Sequence, residues 1–264
     1  MKCGTTSLHH YLDMHPEIGM SSVKETDFFK TEENFDKGFQ WYSSLFSDGF
    51  QVLGEASPNY TKKHLFPGVA QKIHTHLPDL KLIYMIRDPY KRFISHYVHR
   101  IIHGIPTSSL DDIFNDIENN EITLTDKYMW QLDEYRQYYP DENLLVLKSE
   151  DMKNDRVSAL RKVFDFLGLD PGFKSEGFNN QFHKAQNKKK EFKAIRKLRR
   201  IEPLKRIVKK VMPVSFFNKI RGREIQRPEL TKEQIKTLRD VYNEDISRLQ
   251  KLSGYDLSSW LNIE

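Results

Sequence analysis

The stretch LIYMIRDPYKRFISHY (residues 82–97) reads as a strand that hands directly over to a helix. Its first five residues are apolar without strict alternation, the pattern of a strand covered on both faces. Asp88 then offers a side-chain acceptor at the helix start, and Pro89 sits where a missing N–H costs nothing, so a helix over 89–103 follows. This leaves Arg87 at the carboxyl end of the strand and Ser95 on the helix beyond it. That end of an open α/β sheet is where ligands bind.

Two similar apolar runs, Gln51–Glu55 and Asn143–Leu147, have strand length, and helical periodicity marks 68–76 and 155–167. The alternation of strand and helix implies an α/β fold with a doubly wound parallel sheet flanked by helices. Residues 104–140 read as mostly helical. Trp130, Tyr135, Tyr138 and Tyr139 there form an aromatic cluster that is either plain core or the wall of an acceptor site. The C-terminal part, 228–264, is helical: Thr231 opens a capping-box-like TKEQ, and Ile235, Leu238, Tyr242, Ile246 and Leu249 form an apolar stripe that stops at Gly254.

With 264 residues the chain can bury roughly 70% or more of its unfolded surface, enough for one domain over 1–264. No run reaches the roughly 18 apolar residues of a membrane span, and the first residues lack the charged-then-apolar order of a signal peptide. Cys3 is the only cysteine, so no disulfide forms within the chain and the expected setting is cytoplasmic, peripheral to a membrane at most. No Cys/His cluster has zinc spacing, so no metal is expected. Residues 184–210 hold 13 Lys/Arg against Glu191 and Glu202, a local +11 in a chain of net +5. Within them Phe192, Ile195, Leu198 and Ile201 recur among basic residues, the pattern of a basic amphipathic helix for an anionic membrane or a polyanion such as an acidic glycan. A solvated helix face is the alternative. A nucleic-acid partner is not expected, for aromatic interleaving and a known binding fold are both missing.

At the N-terminus, Lys2, Gly4, Thr5, Thr6 and Ser7 precede Leu8, Tyr11 and Leu12 at helical spacing, so a loop feeds a helix. Exposed N–H groups, a helix dipole, a cation and hydroxyls together suit a phosphate, although an ordinary helix start has the same composition. The spacing is not that of a Walker A loop, which argues against an ATP-dependent kinase.

KCGTTSL followed by RDPYKRFISHY closely resembles the paired donor motifs of the sulfotransferases that use 3′-phosphoadenosine 5′-phosphosulfate (PAPS). SVKETDFF (22–29), GEASPNY (54–60), LLVLKSEDM (144–152) and the ending from Arg227 extend the likeness to bacterial members and the heparan-sulfate branch. The resemblance implies a P-loop-like fold and sulfuryl transfer from PAPS, leaving PAP, to a hydroxyl or amine of a carbohydrate, glycolipid or small metabolite. It assigns Lys2, Gly4, Thr5, Thr6 and Ser7 to the 5′-phosphosulfate, with Lys2 also neutralising the leaving group, and Arg87 and Ser95 to the 3′-phosphate. Glu25 becomes the catalytic base. His64, at the place of the histidine base of small-molecule sulfotransferases, is the alternative, as is an inactive PAP-binding homologue. Lys24 and Glu55 are secondary acceptor-site candidates, and one of Lys184, Lys188, Lys189 and Lys190 would touch the donor. His96, His99 and Arg100 read as helix surface. A phosphate loop is normally launched from a buried central strand, so a strand of five to ten apolar residues is expected ahead of Lys2.

Overall fold

The computed structural model describes residues 1–180, 182 and 227–262; the basic segment 184–210, with its lysines, lies outside them. The chain runs through α1 (Thr5–Leu12), β1 (Ile18–Met20), α2 (Glu32–Phe35), α3 (Gly38–Ser43), β2 (Val52–Gly54), α4 (Val69–His76), β3 (Leu82–Ile86) and α5 (Pro89–Ile102). Three helices follow, α6 (Leu110–Asn115), α7 (Glu121–Asp126) and α8 (Tyr128–Tyr135), then β4 (Leu144–Lys148), α9 (Ser149–Asn154) and α10 (Arg156–Leu167). The described chain closes with α11 (Lys232–Ser253) and α12 (Ser258–Leu261).

Local chemistry sets these bounds. Asp88 accepts the Lys91 N–H at 3.0 Å to start α5, and Asp155 accepts that of Ser158 at 3.1 Å to start α10. Thr231 and Gln234 exchange side-chain-to-backbone bonds of 3.1 and 3.0 Å, a capping box for α11, which Gly254 ends in the left-handed conformation. Strand β1, three residues long, carries no periodic signal in the sequence.

The four strands form two parallel pairs rather than one sheet. β1 pairs with β2, Ile18 opposite Val52, and β3 pairs with β4, Leu82 opposite Leu144 through Ile86 opposite Lys148. Between the pairs lies a cavity of about 710 Å³, edged by Val52 and Leu53 of β2 and Ile83 and Met85 of β3 and roofed by Leu8 and Leu12 of α1. Leu53, mid-strand and apolar, is 53% exposed.

The larger apolar cluster joins α1, β1, β3 and β4 to α5, α10 and α11. A smaller one gathers Phe28 and Phe29 with α4 and with Tyr135 and Tyr139. Tyr135 and Tyr139 are therefore core, their hydroxyls donating to the carbonyls of Tyr60 (2.9 Å) and Leu77 (2.8 Å), whereas Trp130 is half-buried beneath the Lys63 ammonium. His96, read above as helix surface, is buried, because α7 packs across that face of α5.

Arg92, also on α5, is a buried cation. It pairs with Asp126, itself fully buried, and donates to the carbonyls of Met1 (2.9 Å) and Thr125 (2.6 Å). Removing one partner of such a pair strands the other charge in a low dielectric. Arg92→Met is therefore expected to lose about 3–5 kcal/mol in urea denaturation, and the double variant Arg92→Met/Asp126→Leu markedly less. A loss below about 1 kcal/mol in the single variant would contradict this account.

Candidate functional site

The site begins where α1 begins. Gly4 stands at φ 93°, where a Cβ is disfavoured, and no side chain caps the helix that follows. A Cβ on Gly4 would meet Ser149 Oγ at 3.6 Å and Met85 Cε at 3.7 Å, which puts the loop at the carboxyl ends of β3 and β4. The amides of the first turn, with the positive end of the helix dipole, form an anion-binding terminus. Thr5 and Thr6 are half-buried in that turn, while the Ser7 hydroxyl is turned to the chain and donates to the Phe182 carbonyl (3.1 Å).

The two arginines of the 82–97 stretch secure this loop from behind. Arg87 Nη1 donates to the Lys2 carbonyl at 3.2 Å, one residue on from the carbonyl held by Arg92. Arg87 is itself fixed by Tyr128, whose hydroxyl donates to its carbonyl (2.6 Å) and accepts from its N–H (3.2 Å). Arg227, which sequence reasoning passed over, lies close enough to Arg87 that the two charges repel: burial first and the Arg87 guanidinium second hold Arg227 below its ordinary value. Like charges that oppose one another in this way suit a shared anion. Ser95 stands half-buried on α5, one turn past Arg92.

The acidic side of the site lies in the turn after β1. Glu25 is half-exposed, bonded to Lys24 (Nζ to Oε1, 2.5 Å), and has φ 63°. Asp27 has φ 51° and Lys2 φ 64°; these three are the non-glycine residues at positive φ among the described residues. Backbone strain of this kind gathers at functional sites. α1 packs against β1, which brings the stretch that follows β1 beside α1. Glu55, directly after β2, lines the same cavity as Met1 and Thr5, but its two oxygens are already taken by hydroxyls of Thr26, Tyr42, Ser57 and Tyr60.

His64 sits elsewhere. Its ring nitrogens meet Gln131 Nε2 (3.3 Å) and Thr125 Oγ1 (3.4 Å), between α7 and α8. Burial pulls its pKa down to about 4, with Glu121 opposing. Because the folded value lies below the unfolded one, this group favours the fold above pH about 6.5 and withdraws that support as pH falls toward 4. Proton NMR should therefore show the His64 ring still neutral at pH 5.5; half-protonation near pH 6.5 would contradict the buried setting.

Among the described residues no group of three or more His, Cys, Asp or Glu is arranged to hold a metal, and no helix is long and apolar enough to cross a membrane.

Residues 1–254 match the family described as the sulfotransferase domain. The human bifunctional heparan sulfate N-deacetylase/N-sulfotransferase 2 is 25% identical over 191 residues, covering 64% of this chain and 21% of the relative. Human heparan sulfate glucosamine 3-O-sulfotransferase 3B1 is 26% identical over 267 residues, 97% of this chain and 62% of the relative. The chain thus spans about a fifth and about three fifths of the length of these two proteins. The crystal structure of a sulfotransferase from Alicyclobacillus acidocaldarius superposes with a TM-score of 0.68 at 23% identity, covering 99% of this chain and 95% of that one, a likeness of fold.

Proposed function

Because the chain belongs to the sulfotransferase family, we propose that it moves a sulfuryl group from PAPS to a hydroxyl or amine of a carbohydrate or glycolipid acceptor. The observation that carries this reading is the bond from Arg87 to the Lys2 carbonyl, which joins the two anion-binding motifs at the uncapped start of α1. Lys2, Gly4, Thr5, Thr6 and Ser7 are assigned to the 5′-phosphosulfate, and Arg87, Ser95 and Arg227 to the 3′-phosphate. The residues suit such a donor: a helix start without a side-chain cap and the charges of Arg87 and Arg227 would meet its two separate anionic groups.

The donor supplies an activated sulfur with PAP as leaving group. Lys2 and the α1 amides hold and neutralise the oxygens on which negative charge grows as the sulfur–oxygen bond breaks. The acceptor oxygen or nitrogen forms the new bond to sulfur, and its proton passes to the Glu25 carboxylate. Glu25 is favoured over His64 because both His64 nitrogens are occupied within the packing of α7 and α8. The carbohydrate acceptor is carried over from the heparan sulfate enzymes named above, with a small metabolite as the alternative class. Contact of residues 184–210 with an anionic membrane or glycan belongs to the same proposal.

Arg87→Ala is expected to weaken PAP binding in calorimetry by roughly 10- to 100-fold, the worth of a charge-assisted contact, and Ser95→Ala by less. Glu25→Gln should leave PAP affinity within about twofold while cutting turnover about 100-fold or more, with His64→Ala mild. Normal PAP binding in both donor-site variants would overturn the 3′-phosphate assignment, and the reverse order of activity losses would move the base to His64.

A further inference from the structure

Glu55 gathers four hydroxyl protons on one carboxylate. Oε1 accepts from Tyr42 and Tyr60 at 3.0 Å each, and Oε2 accepts from Thr26 and Ser57 at 2.7 Å each. A carboxylate has about four acceptor positions, so this one has none left for an acceptor substrate. The direct acceptor contact considered for Glu55 in the sequence is thus used up inside the protein.

Three of the four hydroxyls face a second way. Ser57 Oγ accepts the backbone N–H of Asp27 (3.1 Å), Thr26 Oγ1 that of Phe28 (3.3 Å), and the Tyr60 hydroxyl that of Phe29 (3.3 Å). Three consecutive amides of one turn therefore end on a single carboxylate through three hydroxyl relays. A hydroxyl has one proton to give; once that proton is committed to Glu55, its lone pairs are free for the amide. An ionised carboxylate only accepts, so it sets the direction of every relay at once. The phenols stay protonated in this setting, for burial and then the Glu55 charge push Tyr42 and Tyr60 well above the ordinary tyrosine range.

The turn held in this way runs through residues 25–29, and it needs holding. Glu25 and Asp27 both sit at positive φ, a conformation that is strained for a non-glycine residue and persists only where the surroundings over-determine it. The Asp27 carboxylate adds a Lys30 pair and an Asn59 bond, and Asn34 Nδ2 donates to the Asp27 carbonyl at 2.9 Å. These restrain one residue, whereas the Glu55 relays span three.

We infer that Glu55 is the positioning residue for Glu25: its carboxylate orients the Ser57, Thr26 and Tyr60 hydroxyls that lock the 25–29 turn and so aim the Glu25 carboxylate at the acceptor's proton. This rests on the reading of Glu25 as the base. Glu55 itself touches no substrate.

Glu55→Gln is close to isosteric but replaces an acceptor oxygen with an NH₂ group that can only donate, so the hydroxyls on that side lose the acceptor that fixes their direction and hold their amides less firmly. Two readouts separate the inference from its premise. Hydrogen exchange should accelerate at least about tenfold in Glu55→Gln at the amides relayed through the side that the NH₂ takes, Asp27 and Phe28 on the Ser57 and Thr26 side or Phe29 on the Tyr60 side, while Ser57→Ala accelerates Asp27 alone and Glu25→Gln none of the three. Turnover in Glu55→Gln should fall about tenfold or more, with PAP affinity within about twofold. Unchanged exchange at 27–29 overturns the relay whatever the activity. Faster exchange with full turnover, in a protein that Glu25→Gln inactivates, overturns the positioning role; full turnover in Glu25→Gln overturns the base assignment and leaves the relay to stand on exchange. Should Glu55→Gln fail to fold, Ser57→Ala and Tyr60→Phe each remove one relay, and unchanged exchange at Asp27 and Phe29 respectively overturns the inference.

Discussion

The buried pair of Arg92 and Asp126 is the constraint on which the rest of the molecule depends. One guanidinium reaches the carbonyl of Met1, the carbonyl of Thr125 and the Asp126 carboxylate, and Tyr242 of α11 donates to the same carboxylate at 3.3 Å. The start of the anion loop, α5, α7 and the C-terminal helix therefore meet at one charge. Burial opposes that charge, yet Asp126, together with Cys3, Tyr128 and Tyr84, more than offsets it and holds Arg92 above its ordinary value. Two charges taken out of water contribute little net stability compared with an apolar pair, but their directional bonds admit one arrangement of the elements that meet there. Here that arrangement places a loop whose backbone has to face outward.

From this node the site divides by sign. The cations gather at the carboxyl ends of β3 and β4, where Arg87 grips the Lys2 carbonyl and Arg227 adds a second positive charge that Arg87 opposes. The acids gather past β1 and β2, where Glu25 rides on a turn wired to Glu55. A transfer between an anionic donor and a neutral nucleophile needs that separation, since positive charge must meet the leaving group while a carboxylate meets the acceptor's proton. Backbone strain follows the same division, with Lys2 on one side and Glu25 and Asp27 on the other. Each strained residue is held by partners from a distant stretch of chain: Lys2 by the end of β3, and the 25–29 turn by residues 55–60.

Much of this molecule can be read along the chain. The runs at 82–86 and 143–147, the caps at Asp88 and Thr231 and the stop at Gly254 are local chemistry, and the elements they mark lie within a residue or two of where that chemistry puts them. The proposed donor site at residues 2–7 and Arg87 rests on the same kind of signal: an anion site made of amides, a glycine and a cation needs contiguous residues, so it would leave a contiguous trace. What could not be read is whatever depends on partners far apart in sequence. A basic residue in mid-helix looks like a solvated one until Asp126, 34 positions away, is found against it. Glu55 looks like an acceptor contact until four hydroxyls scattered from Thr26 to Tyr60 converge on it. His96 looks exposed until α7 covers it. The division of the strands into two pairs around a cavity is likewise invisible to periodicity, which reports how each strand is covered and not which strand lies beside it. Local propensity, capping and motif spacing act over a turn or two of chain, whereas pairing, burial and the direction of a hydroxyl proton are set by whichever groups the fold brings within about 3 Å of one another.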